Sequence, residues 1–260
     1  MHILLIHQAF TAIDEPGGTR HHELARVFAR QGHRVTIIAS PVSYLTGKAR
    51  QERIPWVQRQ QDGENITILR TYTYPALHKS FFHRVLSFFS FMFSSFFVGV
   101  RVDHVDVVWG TSPPIFQGAT AWLIARLKRV PFLFEVRDLW PAFAVAVGVL
   151  KNRWLISMAE WLERFLYTRA DQIVVNSPGF IDHIQQRGGS DIKNIPNGAD
   201  PTMFDPQSRG EEFRIQHQLE NKFIVLYAGA HGLSNDLEIL LKSAEILREV
   251  EDIAIVLVGA

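Results

Sequence analysis

Glu135, Arg137, Asp138 and Trp140 stand within six residues of one another, in the run Glu135-Val136-Arg137-Asp138-Leu139-Trp140-Pro141 that closes the apolar stretch FLFEV. Two carboxylates, a guanidinium and an indole emerging together can hold a polar substrate, accept a hydroxyl proton or balance developing negative charge. The same run also fits a plainer purpose: an Arg137–Asp138 ion pair with Trp140 as packing. Thr111 and Ser112, in Trp109-Gly110-Thr111-Ser112-Pro113-Pro114, come after another apolar run and form either an opposite wall or simple turn chemistry. Gly17 and Gly18 close an eleven-residue connection between His7 and Thr19. Strand-to-helix connections are usually about 2–6 residues, so this length points to a task. Paired glycines allow positive φ and close backbone approach, and a helix starting near Thr19 or Arg20 would turn free N–H groups toward an anion. A plain surface loop is the alternative reading.

Other chemistries are excluded or disfavoured. His21-His22-Glu23 lacks the i, i+4 histidine pair of a helical zinc site, because Arg26 occupies the fourth position after His22. No metal is expected, and the two histidines read as surface or cleft residues. The chain has no cysteine, so thiolate nucleophiles and disulfides are absent. G-x-G-x-x-G does not occur, and the run 34–40 ends in Ala39-Ser40 rather than in an acid that would hold a ribose. A nicotinamide enzyme and a Rossmann-type epimerase are disfavoured on those grounds. A net charge of +1 argues against nucleic acid as a partner. MHILLIHQ lacks the pattern of a signal peptide, so a cytoplasmic location is expected, with the inner face of the cytoplasmic membrane as an extension of it.

These residues need a frame that brings them to one place. Apolar runs at 2–7, 34–40, 66–70, 105–110, 132–136 and 172–177 read as strands. Between them, 41–63 is a polar, proline-punctuated excursion. Helical patterns cover 80–100, 115–128, 153–169 and about 179–187, and another runs from Gly18 to Gly32 with Leu24, Val27 and Phe28 on one face. The alternation predicts an α/β fold, a Rossmann-like doubly wound parallel sheet covered on both faces. In such a sheet ligands sit beyond the carboxyl ends of the strands, where Gly18, Arg20, Thr111, Ser112, Glu135, Arg137, Asp138 and Trp140 all fall.

One helix is unusual. VLSFFSFMFSSFFVGV, between Arg84 and Arg101, has no charge and is crowded with phenylalanine. It is shorter than the about 20 residues of a spanning helix. Two readings stand, on different faces of one helix: a helix buried in the domain, and a peripheral membrane contact through residues 80–101, with His78, Lys79, His83, Arg84 and Arg101 at the headgroups.

The composition changes over 196–222, which is proline-punctuated and charged like a linker. Beyond it come a strand at 223–229, a helix at 234–249 and a strand at 253–259. We expect residues 1–199 to be one Rossmann-like domain, 200–222 a linker and 223–260 the truncated start of a second such domain.

The runs PGGTRHHELARVFARQGHRV, GTSPP, FEVRDLWP, IPNGAD and LYAGAHG together resemble the retaining glycosyltransferases of family 4, which have the GT-B fold, and within them the bacterial polysaccharide enzymes. The resemblance implies a metal-independent hexosyltransferase without a cofactor. It would move a sugar from a nucleotide-sugar donor, UDP-linked, to a lipid-linked saccharide or polysaccharide acceptor in cell-surface polysaccharide synthesis, including O-antigen. By the same resemblance Arg137 and Asp138 are the catalytic candidates and line the acceptor side with Trp140, and Glu135, Thr111, Ser112 and Arg20 are substrate-binding candidates. Gly17, Gly18 and Gly229 approach the donor diphosphate and Asn197 stands at a hinge. The family often has a basic pair after the residue corresponding to Gly229; here His231 is the candidate for part of that charge. The resemblance places an acidic E-x7-E-type motif and the nucleotide pocket farther into the second domain, in segments missing from these 260 residues, so the chain by itself is expected to be inactive. A noncatalytic membrane-associated docking module is the competing reading.

Overall fold

The computed structural model describes all residues except 12–17, 44–45, 76–79, 200, 202–203, 233–234 and 260. Gly17, His78 and Lys79 therefore lie outside the described residues. The chain divides into two compact units, Met1–Gly198 and Ala199–Ala260.

Unit 1 is built on an eight-stranded sheet. Its strands are β1 (His2–Ile6), β2 (Arg34–Ala39), β3 (Val57–Asp62), β4 (Ile66–Thr71), β5 (Val107–Ser112), β6 (Phe132–Val136), β7 (Gln172–Val175) and β8 (Ile192–Asn194). They lie in the order β3-β4-β2-β1-β5-β6-β7-β8, all parallel except the edge pair β3 and β4. Ile3 faces Val35 on one side and Val107 on the other, and at the carboxyl end Ile6 faces Ile38 and Gly110, so β5 runs two residues beyond β1.

The period-2 alternation of strand side chains decides the layers. Ile3 and Leu5 of β1 join Val35, Ile37, Phe10, Ala25 and Trp109 in one core. Helix α1 (Arg20–Arg30) covers that face. Leu4 and Ile6 point the other way, into a larger core with Phe91, Ile124, Phe132, Phe134 and Leu166. The helices there are α2 (Phe81–Val100), α3 (Phe116–Lys128), α5 (Arg153–Arg169) and α6 (Ile181–Gln186), with the short α4 (Ala142–Ala146) between α3 and α5 in sequence. The sheet is thus doubly wound with both faces covered, as the strand–helix alternation requires.

Several expectations need correcting. The excursion 41–63 contains β3, whose VQRQQD sequence is exposed and polar because it forms the sheet's antiparallel edge. Within α1, His21 and His22 are buried, which rules out the surface half of the surface-or-cleft reading. Val27 is exposed, whereas Leu24 and Phe28 pack on the core. Gly18 does not adopt a positive φ.

Unit 2 contains α7 (Glu211–Gln216), which lies inside the stretch read as linker, then β9 (Phe223–Ala228), α8 (Glu238–Ile246) and β10 (Ile253–Val258). β9 and β10 pair in parallel, Phe223 opposite Ile253.

Candidate functional site

The carboxyl ends of β1, β5 and β6 converge, and polar side chains crowd the residues just beyond them. Glu135 is the centre. Its side chain is completely buried on β6, where an unpaired carboxylate would be strongly disfavoured. Arg20, the first residue of α1, donates from Nε to Oε1 at 2.9 Å, and His21 donates from Nε2 to Oε2 at 2.5 Å. Burial alone would raise the Glu135 pKa; the hydrogen bonds and charges of His21 and Arg20 outweigh it and hold the carboxyl at about 2. The remaining guanidinium nitrogens of Arg20 donate to the carbonyls of Ile195 and Pro196, both at 2.8 Å. One arginine therefore ties the start of α1 to β6 and to the segment after β8.

A second layer lies beside this clamp. The His7 ring, one residue past β1, sits 4.2 Å from the His21 ring, and Trp109 of β5 is 5.3 Å from His21 on another side. Arg137 donates from Nε to Thr111 Oγ1 at 3.0 Å and to the Ser112 carbonyl at 3.1 Å, and its Nη2 lies 3.2 Å from His7 Nε2. Arginine is only a donor, so His7 Nε2 accepts and the ring proton sits on Nδ1. His7 is accordingly neutral: burial lowers its pKa well below the ordinary value, with the charges of His21 and Arg137 adding to the effect. Burial also lowers His21, against the opposing pull of Glu135. Nδ1 of His7, Nδ1 of His21 and Nε1 of Trp109 are buried with no hydrogen-bond partner among the described residues.

The loop after β5 is fixed from behind. Gln117 of α3 donates from Nε2 to the Thr111 carbonyl at 2.6 Å, and its Oε1 accepts the Gln8 backbone N–H at 2.6 Å. Asp138 stands further out, its carboxyl pushed up by partial desolvation while Arg137 opposes the shift. Trp140 is half-buried, its ring 6.0 Å from Phe116 and packed on the larger core.

The structure thus brings Arg20, Thr111, Ser112, Glu135 and Arg137 into one connected network. Gly18 is close to it in sequence, with its carbonyl accepting from Thr11 Oγ1 at 2.8 Å; a Cβ added to Gly18 would meet nothing within 4 Å. Asn197 is exposed at the end of unit 1, next to the carbonyls that Arg20 holds. Gly229 and His231 belong to unit 2, where the Gly229 N–H donates to the Val258 carbonyl just past the end of β9. His7, His21, Gln8 and Gln117 were not among the expected site residues. The one available signal is the place of His7, directly after the first strand at the head of the long connection. Among the described residues no group of three or more His, Cys, Asp or Glu is arranged to hold a metal ion.

A family model described as a glycosyl transferase 4-like domain matches residues 17–198. Over 247 residues the chain is 24% identical to a putative colanic acid biosynthesis glycosyl transferase, WcaI, of Escherichia coli, covering 91% of this chain and 60% of that protein. A sucrose-phosphate synthase from Thermosynechococcus elongatus matches in structure with a TM-score of 0.73 at 15% identity, over 100% of this chain and 62% of the other. Anabaena Alr3699/HepE, in complex with UDP and glucose, matches with a TM-score of 0.61 at 15% identity, over 99% of this chain and 61% of its own. The chain thus spans about three-fifths of the length of these relatives.

Proposed function

The chain belongs to the glycosyl transferase 4-like domain family, and from that premise we propose that it serves the transfer of a sugar from a UDP-linked donor to a lipid-linked saccharide or polysaccharide acceptor, with retention at the anomeric carbon. The observation that carries the reading is Arg137, held by Thr111, Ser112 and a neutral His7 at the carboxyl edge of the sheet. Breaking the bond between the anomeric carbon and the diphosphate oxygen sends the electron pair to the diphosphate, while the acceptor oxygen forms the new bond. A guanidinium already fixed and oriented stabilises negative charge in that step without reorganising. Asp138, whose carboxyl pKa partial desolvation raises and Arg137 opposes, accepts the hydrogen bond of the acceptor hydroxyl, and the hydroxyl proton ends on the departing diphosphate.

In this reading Glu135 is a positioning residue. Buried and paired twice, it fixes Arg20 and His21, and His21 in turn backs the His7 ring. Trp140 contributes to the acceptor side of unit 1, and Gly229 with His231 contribute donor contacts on unit 2. The reaction takes place at the inner face of the cytoplasmic membrane, where a lipid-linked acceptor is presented, and it needs no metal or cofactor.

A transfer assay with UDP-sugars and membrane lipid extract, run on a polypeptide that carries residues 1–260 together with a complete donor-binding domain and read by mass spectrometry of the glycosylated lipid, tests this. Arg137→Ala is expected to lower transfer by about 10²–10³-fold, the cost typical of removing one donor to developing negative charge. Transfer that survives Arg137→Ala unchanged, or that draws only on a different nucleotide, overturns the reading.

A further inference from the structure

Helix α2 is inside out. Its residues Phe82, Leu86, Phe89, Phe93, Phe97 and Val100 recur every three or four positions, and all are exposed. Its inward face carries Ser87, Ser94 and Ser95, which are fully buried, alongside Phe91 and Val98. Two of the helix's serines tie it to the chain beyond β4: Ser94 Oγ donates to the Tyr72 carbonyl at 2.6 Å, and Ser90 accepts the Tyr74 N–H at 2.8 Å. Gly99 brings the helix so close that a Cβ there would meet Ile124 Cδ1 at 2.5 Å. A helix in water normally turns its apolar stripe to the core and its polar residues out.

Length and composition would let Phe82–Val100 cross a membrane. The anchoring of its serine face to β4's exit and to α3 argues for another role, because crossing would strip those contacts. From Phe82 to Val100 the stripe runs about 27 Å along the helix surface. Cations flank it: Arg84 in the first turn and Arg101 at the C-cap. The neighbouring α3 adds Arg126 and Lys128, with Lys128 donating to the Val100 carbonyl at 2.8 Å. Neither helix contains Asp or Glu, and Asp103 lies beyond α2, near Lys128. Beside the stripe, Trp56, Val57 and Leu69 form with Phe93 and Phe97 an open, apolar groove of about 600 Å³ that has Arg101 at its rim.

We propose that α2 lies flat in the surface of an anionic phospholipid bilayer, its phenylalanine stripe among the acyl chains, its arginines at the headgroups and an acyl chain in the groove. An aromatic face with cationic ends and no acid matches that surface in both polarity and charge. The docking holds unit 1 at the membrane independently of any chemistry at its sheet edge, so it stands or falls separately from the transfer reaction.

Co-sedimentation with phosphatidylglycerol vesicles tests it. The protein is expected in the pellet, with binding weakened by salt and weaker on pure phosphatidylcholine. Phe89→Ser/Phe93→Ser/Phe97→Ser is expected to lower partitioning at least tenfold while circular dichroism stays native, since the replaced rings face outward. Should that variant not fold, Phe93→Cys serves instead. The chain has no other cysteine, so an environment-sensitive dye at this one position must blue-shift when phosphatidylglycerol vesicles are added. Protein that stays in the supernatant, serine variants that bind as tightly, or a dye that does not shift overturns the proposal. So do dimers in analytical ultracentrifugation that the serine variant disperses while vesicles are ignored, because a second copy would then cover the stripe.

Discussion

At the scale of single residues, the site is a set of ionisable groups held away from their ordinary titration. His7 and His21 are kept below 6.5 by burial, so the folded protein binds fewer protons than the unfolded chain there. Their contribution is complete above pH 6.5 and is lost as the pH falls below it. His2, lowered by burial and by Arg34, acts with the same sign. Glu135 works in a lower window: held at about 2 against 4.5, it adds about 3 kcal/mol above pH 4.5, lost as the pH falls toward 2. Stability measured by guanidinium unfolding should therefore decline from pH 7 to pH 5 and decline again below pH 4.5. In His7→Gln the first decline should be shallower and the second unchanged. A wild-type curve that is flat between pH 7 and pH 5 would show that the buried histidines do not titrate as their surroundings require.

The elements explain why these residues meet. Gly110 of β5 faces Gly118 of α3, and a Cβ on Gly110 would stand 2.6 Å from Ala121 Cβ. That close approach places Gln117 where it can bind both the Thr111 carbonyl and the Gln8 N–H. Gly110→Ala should push α3 outward and cost about 1–3 kcal/mol, the range for overpacking a core, visible as a Tm lowered by several degrees. Adding Ala121→Gly should recover part of the loss, since it clears the space at about 1 kcal/mol of helix propensity. The central strands were legible in the sequence because β1, β2, β5, β6 and β7 are runs of buried, mostly branched side chains, and such runs have few other uses. β3 was not legible because an antiparallel edge needs no apolar alternation, and its VQRQQD reads as a loop. β8 and α4 are too short for any period to show. In the site, Glu135, Arg137, Thr111 and Ser112 could be found by inspecting the carboxyl end of each strand, since ligands of a parallel sheet gather there. His21 could not, because its burial is decided by a carboxylate 114 positions away.

At the scale of the whole molecule, the two units differ in how much they can hold together by themselves. Met1–Gly198 has a sheet covered on both faces and two cores of fully buried side chains. Ala199–Ala260 has a two-stranded sheet and one principal helix, with Phe223, Leu226, Ile239, Leu241 and Ile246 all exposed. A segment of about 60 residues buries only about 60% of the surface its unfolded chain shows, and a two-stranded sheet is marginal without further cover. Residues 1–198 produced alone should therefore melt cooperatively, with a Tm close to that of unit 1 in the whole chain. Residues 199–260 alone should give the circular dichroism of a largely unfolded chain and no sigmoidal transition. Calorimetry of the two pieces checks both. A cooperative transition in the short piece would mean that its exposed strands and helix find a core on their own, and that the boundary at Gly198 separates two folding units of comparable strength. Loss of cooperativity in the long piece would instead place part of its stability in residues beyond 198, although its buried clusters lie entirely before that point.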